Sequence, residues 1–312
     1  MLIQNELCNL LEVEYPIIQG GMAWVATGEL ASAVSQAGGL GIIGAGNAPA
    51  DVVRDEIQKV KESTDKPFGV NVMLLSPHVD EVVEVVVEEE VPVVTTGAGN
   101  PAKYLDDFAS VGAKVIPVVP SVALARRMAR YDVDAVIAEG NEAGGHIGRL
   151  NTMALVPQIV DAIDIPVIAA GGIADGRGFS AALSLGAQGV QMGTRFVCAE
   201  ECIAHDDYKE AIINARDRDA VVTGRSTGHP VRNLKNKLTR KIQKLESEDA
   251  SKEKIEELGV GRLKQAVIDG DIEEGSVMAG QVAGMIEEIE PADEIIDDII
   301  TTAQNILAKD CK

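Results

Sequence analysis

Two apolar patterns alternate along the chain. Short runs rich in Val, Ile, Ala and Gly, almost free of charge, end on Gly, Asn, Thr, Glu or Pro, and each precedes a stretch whose apolar residues recur at helical spacing. The runs cover residues 16–20, 39–44, 68–74, 92–96, 114–119, 135–139, 166–171 and 189–194. Unbroken apolar runs of this length suit strands buried on both faces, as in parallel sheets. Between them, the spacing of Val52, Val53, Ile57 and Val60 predicts a helix over 51–62. Ser121 after Pro120, and Thr152 before an apolar segment, stand where N-caps belong. Strands alternating with helices pair in parallel through right-handed crossovers. Eight such units within residues 16–194 match a closed barrel, so the predicted fold class is α/β, a (β/α)8 TIM barrel. A doubly wound sheet would open on a Gly-x-Gly-x-x-Gly turn after the first strand, and Gln19-Gly20-Gly21-Met22 is not that turn.

After Arg195 the pattern changes. Residues 206–270 read as charged helices without strands, and the small residues from Gly275 to Gly284 bring the chain back. The predicted organisation is therefore a barrel from 1–205 plus 271–312, interrupted by a helical subdomain at 206–270. That excursion carries a basic segment. Between Asp219 and Glu246 there is no acid, but Arg225, Arg232, Lys235, Lys237, Arg240, Lys241 and Lys244 all lie there. On a chain of net charge −21 such an island is either a solvated helix face or a dock for an acidic partner, while general nucleic-acid binding is excluded. No run approaches the roughly 18 apolar residues a spanning helix needs, and no leader pattern opens the chain. A soluble cytoplasmic protein off the membrane is expected, with Cys8, Cys198, Cys202 and Cys311 as free thiols in a reducing compartment.

In a barrel of this class the chemistry sits at the C-terminal ends of the strands. Those ends carry Gly20, Gly21, Met22, Asn47, Asn71, Glu139, Gly144, Gly145, His146, Ala170, Gly171, Gly172, Gln191, Gly193 and Thr194. Glycines and amides dominate; no Ser/His/Asp set, carboxylate pair or His cluster appears, and no metal ligands stand out. A rim so poor in reactive groups points to a bound organic cofactor that carries the reaction. Glycine-bearing ends on strands seven and eight, the second before a short helix, are the usual phosphate site of this fold. His146 is the one rim-loop residue that changes charge easily near neutrality. A surface histidine bonded to a carbonyl explains it as well as a functional one does, until the preceding glycines are weighed: they let the loop close over a flat ligand. His78, His205 and His229 lack that setting. Glu139 suits a ribityl hydroxyl or a cation, and a salt bridge equally well. Asn71 is a candidate partner for the cofactor ring or a satisfied amide at the mouth. Met22 either packs on a flat ring or fills space, and Trp24 is read as core.

The segments Tyr15–Trp24 and Ala37–Gly44, together with 68–77, 95–101, 142–148, 169–175 and 275–284, resemble the flavin-dependent enoyl-acyl-carrier-protein reductases (enoyl reductase II, the FabK type). The similarity covers almost the whole chain and is weakest from about 241 to 260 and at the C-terminus. Nitronate monooxygenases share the barrel and similar glycine motifs; residues 116–123 and 224–239 look more like the reductase. The resemblance implies FMN as prosthetic group, NADH or NADPH as reductant, and a trans-2-enoyl thioester on acyl carrier protein as substrate, in the last step of the fatty-acid elongation cycle. It also implies a homodimer and, in some members, activation by a monovalent cation. Asn141 departs from the Met expected before Glu142. The rival activity is oxidation of alkyl nitronates with O2.

Overall fold

The computed structural model describes residues 3–309 and places a strand in each of the eight apolar runs. The barrel strands are β1 (Ile17–Gln19), β2 (Gly41–Gly44), β3 (Phe68–Met73), β4 (Val93–Gly97), β5 (Lys114–Val119) and β6 (Val136–Glu139), then, after a two-residue strand β7 (Gly145–His146), β8 (Val167–Ala170) and β9 (Gly189–Met192). Their order is β1-β9-β8-β6-β5-β4-β3-β2, all parallel, and a bridge between Ile18 and Leu40 joins the ends into a TIM barrel.

The strands read as continuous apolar runs because they bury two faces. Inward, Ile18, Ile42, Val93, Ile116, Ile137 and Ile168 form one cluster. Leu7 and Leu11 of the N-terminal helix Glu6–Leu11 join it, and Leu7 lies against Gly189 at the start of β9, so this helix plugs the barrel floor. Outward, alternate strand residues meet the helices in a larger cluster, to which helix Ala50–Ser63 contributes Val53, Ile57 and Val60. Ser121 caps its helix, its hydroxyl accepting the Leu124 N–H at 3.3 Å. Thr152 does not cap. Asn151 holds the N-cap position, and Thr152 lies just inside the helix with its N–H donated to the Glu142 carboxylate at 2.9 Å.

The stretch 206–270 departs from the strand-free reading. Two strands, β10 (Ala220–Thr223) and β11 (Val231–Leu234), form an antiparallel hairpin, and β11 pairs with β7: Val231 opposite His146 and Arg232 opposite Gly145. The excursion therefore returns over the barrel mouth and adds backbone to the histidine segment. Among the described residues no helix is long and apolar enough to cross a membrane. Cys8, Cys198 and Cys202 are buried free thiols, and burial pushes Cys198 up to about 12; Cys311 lies outside the described residues.

Candidate functional site

A cavity of about 570 Å³ opens at the C-terminal ends of the strands, within the size range of small-molecule sites. Gly20, Gly21, Met22, Asn47, Glu139, Gly144, Gly145, His146, Ala170, Gly171, Gly172, Gln191, Gly193 and Thr194 all line it. Asn71 does not. Its amide donates to the Thr95 hydroxyl at 2.8 Å, and a Cβ at Gly21 would run into the Asn71 side chain. Gly21 is thus a glycine because Asn71 packs behind it, and Asn71 shapes the wall rather than facing the space.

The glycine end of β8 is set by backbone conformation. Gly171 and Gly172 both adopt left-handed backbone, φ 87 and 76, which L side chains rarely tolerate. Thr194 starts the short helix after Gly193, and its hydroxyl accepts the Gly280 N–H at 2.9 Å, closing the wall from the C-terminal return segment. Glu139 is partly exposed into the cavity but ringed by protein, and that burial raises its carboxyl to about 7.

His146 opens onto the cavity with protein around its ring, and its loop is not loose. β7 is pinned to β11, and the Ile147 N–H reaches the Pro230 carbonyl at 3.1 Å. Glu142 holds the Thr152 N–H with its carboxylate, and its own carbonyl accepts from Gln281 at 2.9 Å. Gly144 passes so close to Ala279 and Gly280 that an added Cβ would lie 2.8 Å from their backbone. Asn141 completes the brace: its amide nitrogen donates to the Gly148 carbonyl at 2.7 Å, and its Oδ1 and carbonyl each accept from the Arg232 guanidinium at 2.9 Å. Arg232 is 4% exposed. The loop that the glycines let close over a flat ligand is braced on both flanks by other elements.

That placement removes Arg232 from any docking face. Lys237, Lys241 and Lys244 are ion-paired with Glu273, Glu274 and Glu248, which leaves Arg225, Lys235 and Arg240 as exposed cations of the island without a carboxylate partner among the described residues. Burial, and secondly the neighbouring His229, hold the His146 imidazole below its ordinary pKa, so it is neutral at neutral pH. His78 stands at a helix start beside Glu81, and His205 accepts the Asp207 N–H as an N-cap.

The rim residues that the strand ends did not reveal are Glu142, which ties down the histidine loop, and Lys264 with its neighbours, which the excursion brings back. Trp24, read as core, instead lies half-buried on the cavity wall, its ring 4.6 Å from the Lys264 Nζ. Among the described residues no group of three or more His, Cys, Asp or Glu side chains could hold a metal ion.

A barrel with glycine ends on β8 and β9 and a histidine laid across its mouth defines a class, and sequence comparison agrees: the chain belongs to the nitronate monooxygenase family, whose model matches residues 4–302. Within that class it is similar over nearly its whole length to several proteins. The solved structure of FabK from Thermotoga maritima is 53% identical, covers 98% of each chain and superposes with a TM-score of 0.96. A probable nitronate monooxygenase of Staphylococcus saprophyticus is 34% identical over 98% of this chain and 99% of that protein. A (3aS,4S,5R,7aS)-5-hydroxy-7a-methyl-1-oxo-octahydro-1H-indene-4-carboxyl-CoA dehydrogenase of Mycobacterium tuberculosis is 33% identical over 97% of each. The protein is an oxidoreductase of this family.

Proposed function

We propose that the protein is an FMN-dependent reductase of trans-2-enoyl thioesters carried on acyl carrier protein, using NADH or NADPH, at the last step of fatty-acid elongation, and working as a homodimer. The observation that supports this best is a histidine braced through β7 over a glycine-rimmed cavity, in a chain 53% identical to FabK. The carboxyl-CoA relative adds a precedent for thioester-linked substrates in the family.

The cavity residues suit the cofactor. Backbone N–H groups at Gly171, Gly172, Gly193 and Thr194 form a cradle for a phosphate at a helix start. Asn47, Gln191 and Glu139 supply polar edges, and Met22 and Ala170 supply apolar wall. FMN, when bound, supplies a hydride carrier between the nicotinamide and the β-carbon of the enoyl thioester. The protein's part is to orient the thioester and stabilise the negative charge that grows on its oxygen. His146, anchored through β7, donates its ring N–H to that oxygen or supplies the proton that the α-carbon must gain to complete the reduction. The glycine rim admits a flat ligand, and the return segment at Met278–Gly280 closes the wall beside it.

Nitronate oxidation is the second reading, favoured by the family model and the staphylococcal relative. The test is an assay of the purified protein with crotonyl thioester and NADH, with and without oxygen. Nicotinamide oxidation that requires the thioester and ignores oxygen is expected. Oxygen uptake with an alkyl nitronate and no nicotinamide would replace this reading with the second, and activity in neither assay would leave a flavin-binding protein without turnover. Docking of the carrier protein is assigned to Lys235 and Arg240, both exposed and without a carboxylate partner among the described residues. K235E/R240E should raise KM for the carrier-bound substrate and spare a coenzyme A thioester; equal effects on both would refute docking there.

A further inference from the structure

The wall opposite to the histidine brace in construction is made by Trp24 and by the turn Gly259-Val260-Gly261 with Leu263 and Lys264. Lys264 is the one Lys or Arg among the described residues that line the cavity, and it has no carboxylate partner among them. Its Nζ stands 4.6 Å above the Trp24 ring, the distance of a cation–π contact, which holds the ammonium at the rim without neutralising it. Trp24 has φ 66, a left-handed backbone that a bulky residue rarely adopts and that persists where the surroundings impose it. Gly261 needs glycine for its φ of 74, but Gly259 is helical in conformation. A Cβ at either would meet nothing within 4 Å. No packing among the described residues demands the bareness of Gly259, which lines the cavity. Val260 is 78% exposed between them, an apolar residue left bare at the mouth.

We infer that Trp24, Gly259, Val260 and Lys264 form a subsite for the phosphate-bearing arm of a co-substrate, with Lys264 taking the phosphate and Trp24 and Val260 taking the apolar or planar part beside it. This rests on reading the cavity as the site of hydride transfer, and it adds where the second reactant is held. On a protein of net charge −21 a phosphorylated ligand needs a local cation. The cradle at Gly171, Gly172, Gly193 and Thr194 lies at the ends of β8 and β9, whereas Lys264 sits over the loop that follows β1. Two ligands carry such an arm: a pyridine dinucleotide through its pyrophosphate, and a phosphopantetheine thioester through its phosphodiester or pyrophosphate.

Trp24 is the only tryptophan, so its fluorescence reports the subsite independently of turnover. The flavin-loaded protein would be titrated with NADP+ and with coenzyme A, and separately with their phosphate-free counterparts nicotinamide riboside and pantetheine. Saturable quenching by one or both phosphorylated ligands is expected. K264A should weaken it by about three- to tenfold, the loss of one charge-assisted contact at a partly exposed site, and K264R should restore it. The ligand affected identifies the arm. The inference is overturned if K264A leaves both affinities unchanged, if it weakens the phosphate-free counterparts equally, or if it lowers flavin content, since Lys264 would then serve the cofactor's phosphate. Absence of reductase turnover in the unmodified protein would refute the proposed activity while this binding test still reads the subsite.

Discussion

Between Asn141 and Gly148 the polar groups around His146 are largely engaged: Asn141 with Arg232 and Gly148, Glu142 with Thr152 and Gln281, and the backbone of Gly145 and His146 in a strand pair. Between Gly259 and Lys264 the same cavity is lined by a chain with an exposed valine, open space beside two glycines and an ammonium without a carboxylate. The first wall is organised before any ligand arrives; the second leaves groups that a ligand can use. Chemistry that depends on a hydrogen bond to a developing charge favours the first construction, because reorganisation at the moment of reaction would waste the stabilisation. Recognition of a reactant that must enter and leave each cycle favours the second.

The comparison can be broken most severely at His146. H146A should retain flavin, seen as the bound absorbance, and lose about 10²–10⁴-fold in enoyl reduction; full activity would remove the histidine from the chemistry. Next comes its brace. R232A leaves two acceptors on Asn141 and one on Ala220 without their donor in a buried place. It should destabilise the fold by about 2–3 kcal/mol in denaturant unfolding and cost about 10- to 100-fold in kcat through misplacement of the ring. N141M keeps the backbone carbonyl and should show the same signs at smaller size. If both variants lowered stability with kcat intact, the brace would be a matter of folding only.

A subtler probe is Glu139. Its carboxyl rises to about 7 from 4.5 because burial disfavours the charge, so its contribution to stability is present below pH 4.5 and is lost as pH rises through 7. E139Q should therefore unfold at a higher temperature than the parent at pH 8 and at about the same temperature at pH 5. No difference at either pH would mean that the carboxylate is compensated in solution. The smallest effect is expected from His229. Removing it as H229A takes away the secondary cause that lowers the His146 pKa, so the pH step in activity belonging to His146 should shift upward toward the ordinary 6.5, with desolvation still holding it below. An unmoved step would show that His229 does not act on His146.

The barrel was legible because parallel strands bury both faces and so leave unbroken apolar runs, and the cavity was legible because this architecture places strand ends together. Thirteen lining residues and His146 followed from that logic, and their roles remain matters for the tests above. What escaped depends on contacts between distant segments. Arg232 read as a surface cation in a basic run, and only the strand pairing that sets it opposite Gly145 reveals that it is buried against Asn141. Asn71 read equally as a partner for the ring and as a satisfied amide at the mouth, and only Thr95 on the neighbouring strand, which engages its amide, favours the second. The β10–β11 hairpin did leave a signal, in two short runs with β-branched residues, 220–223 and 231–234, separated by Gly224 and Gly228, both with positive φ. The charge around it made the stretch resemble helix. Nothing local announces that Lys264 returns to Trp24.

The ring joins β1 to β2 through the bridge at Ile18 and Leu40, beside the first complete strand–helix unit. The C-terminal helix Ala292–Lys309 packs across helix Gly28–Gln36 and helix Gly176–Ser184, one from each end of the ring. During synthesis those two helices emerge long before the element that covers them both. A chain synthesised only through β9 can pair its strands, yet the outer faces of these two helices stay uncovered until the segment after residue 291 is made. The segment after residue 291 thus acts as the clasp of the fold, and its arrival separates a nascent barrel from a finished one.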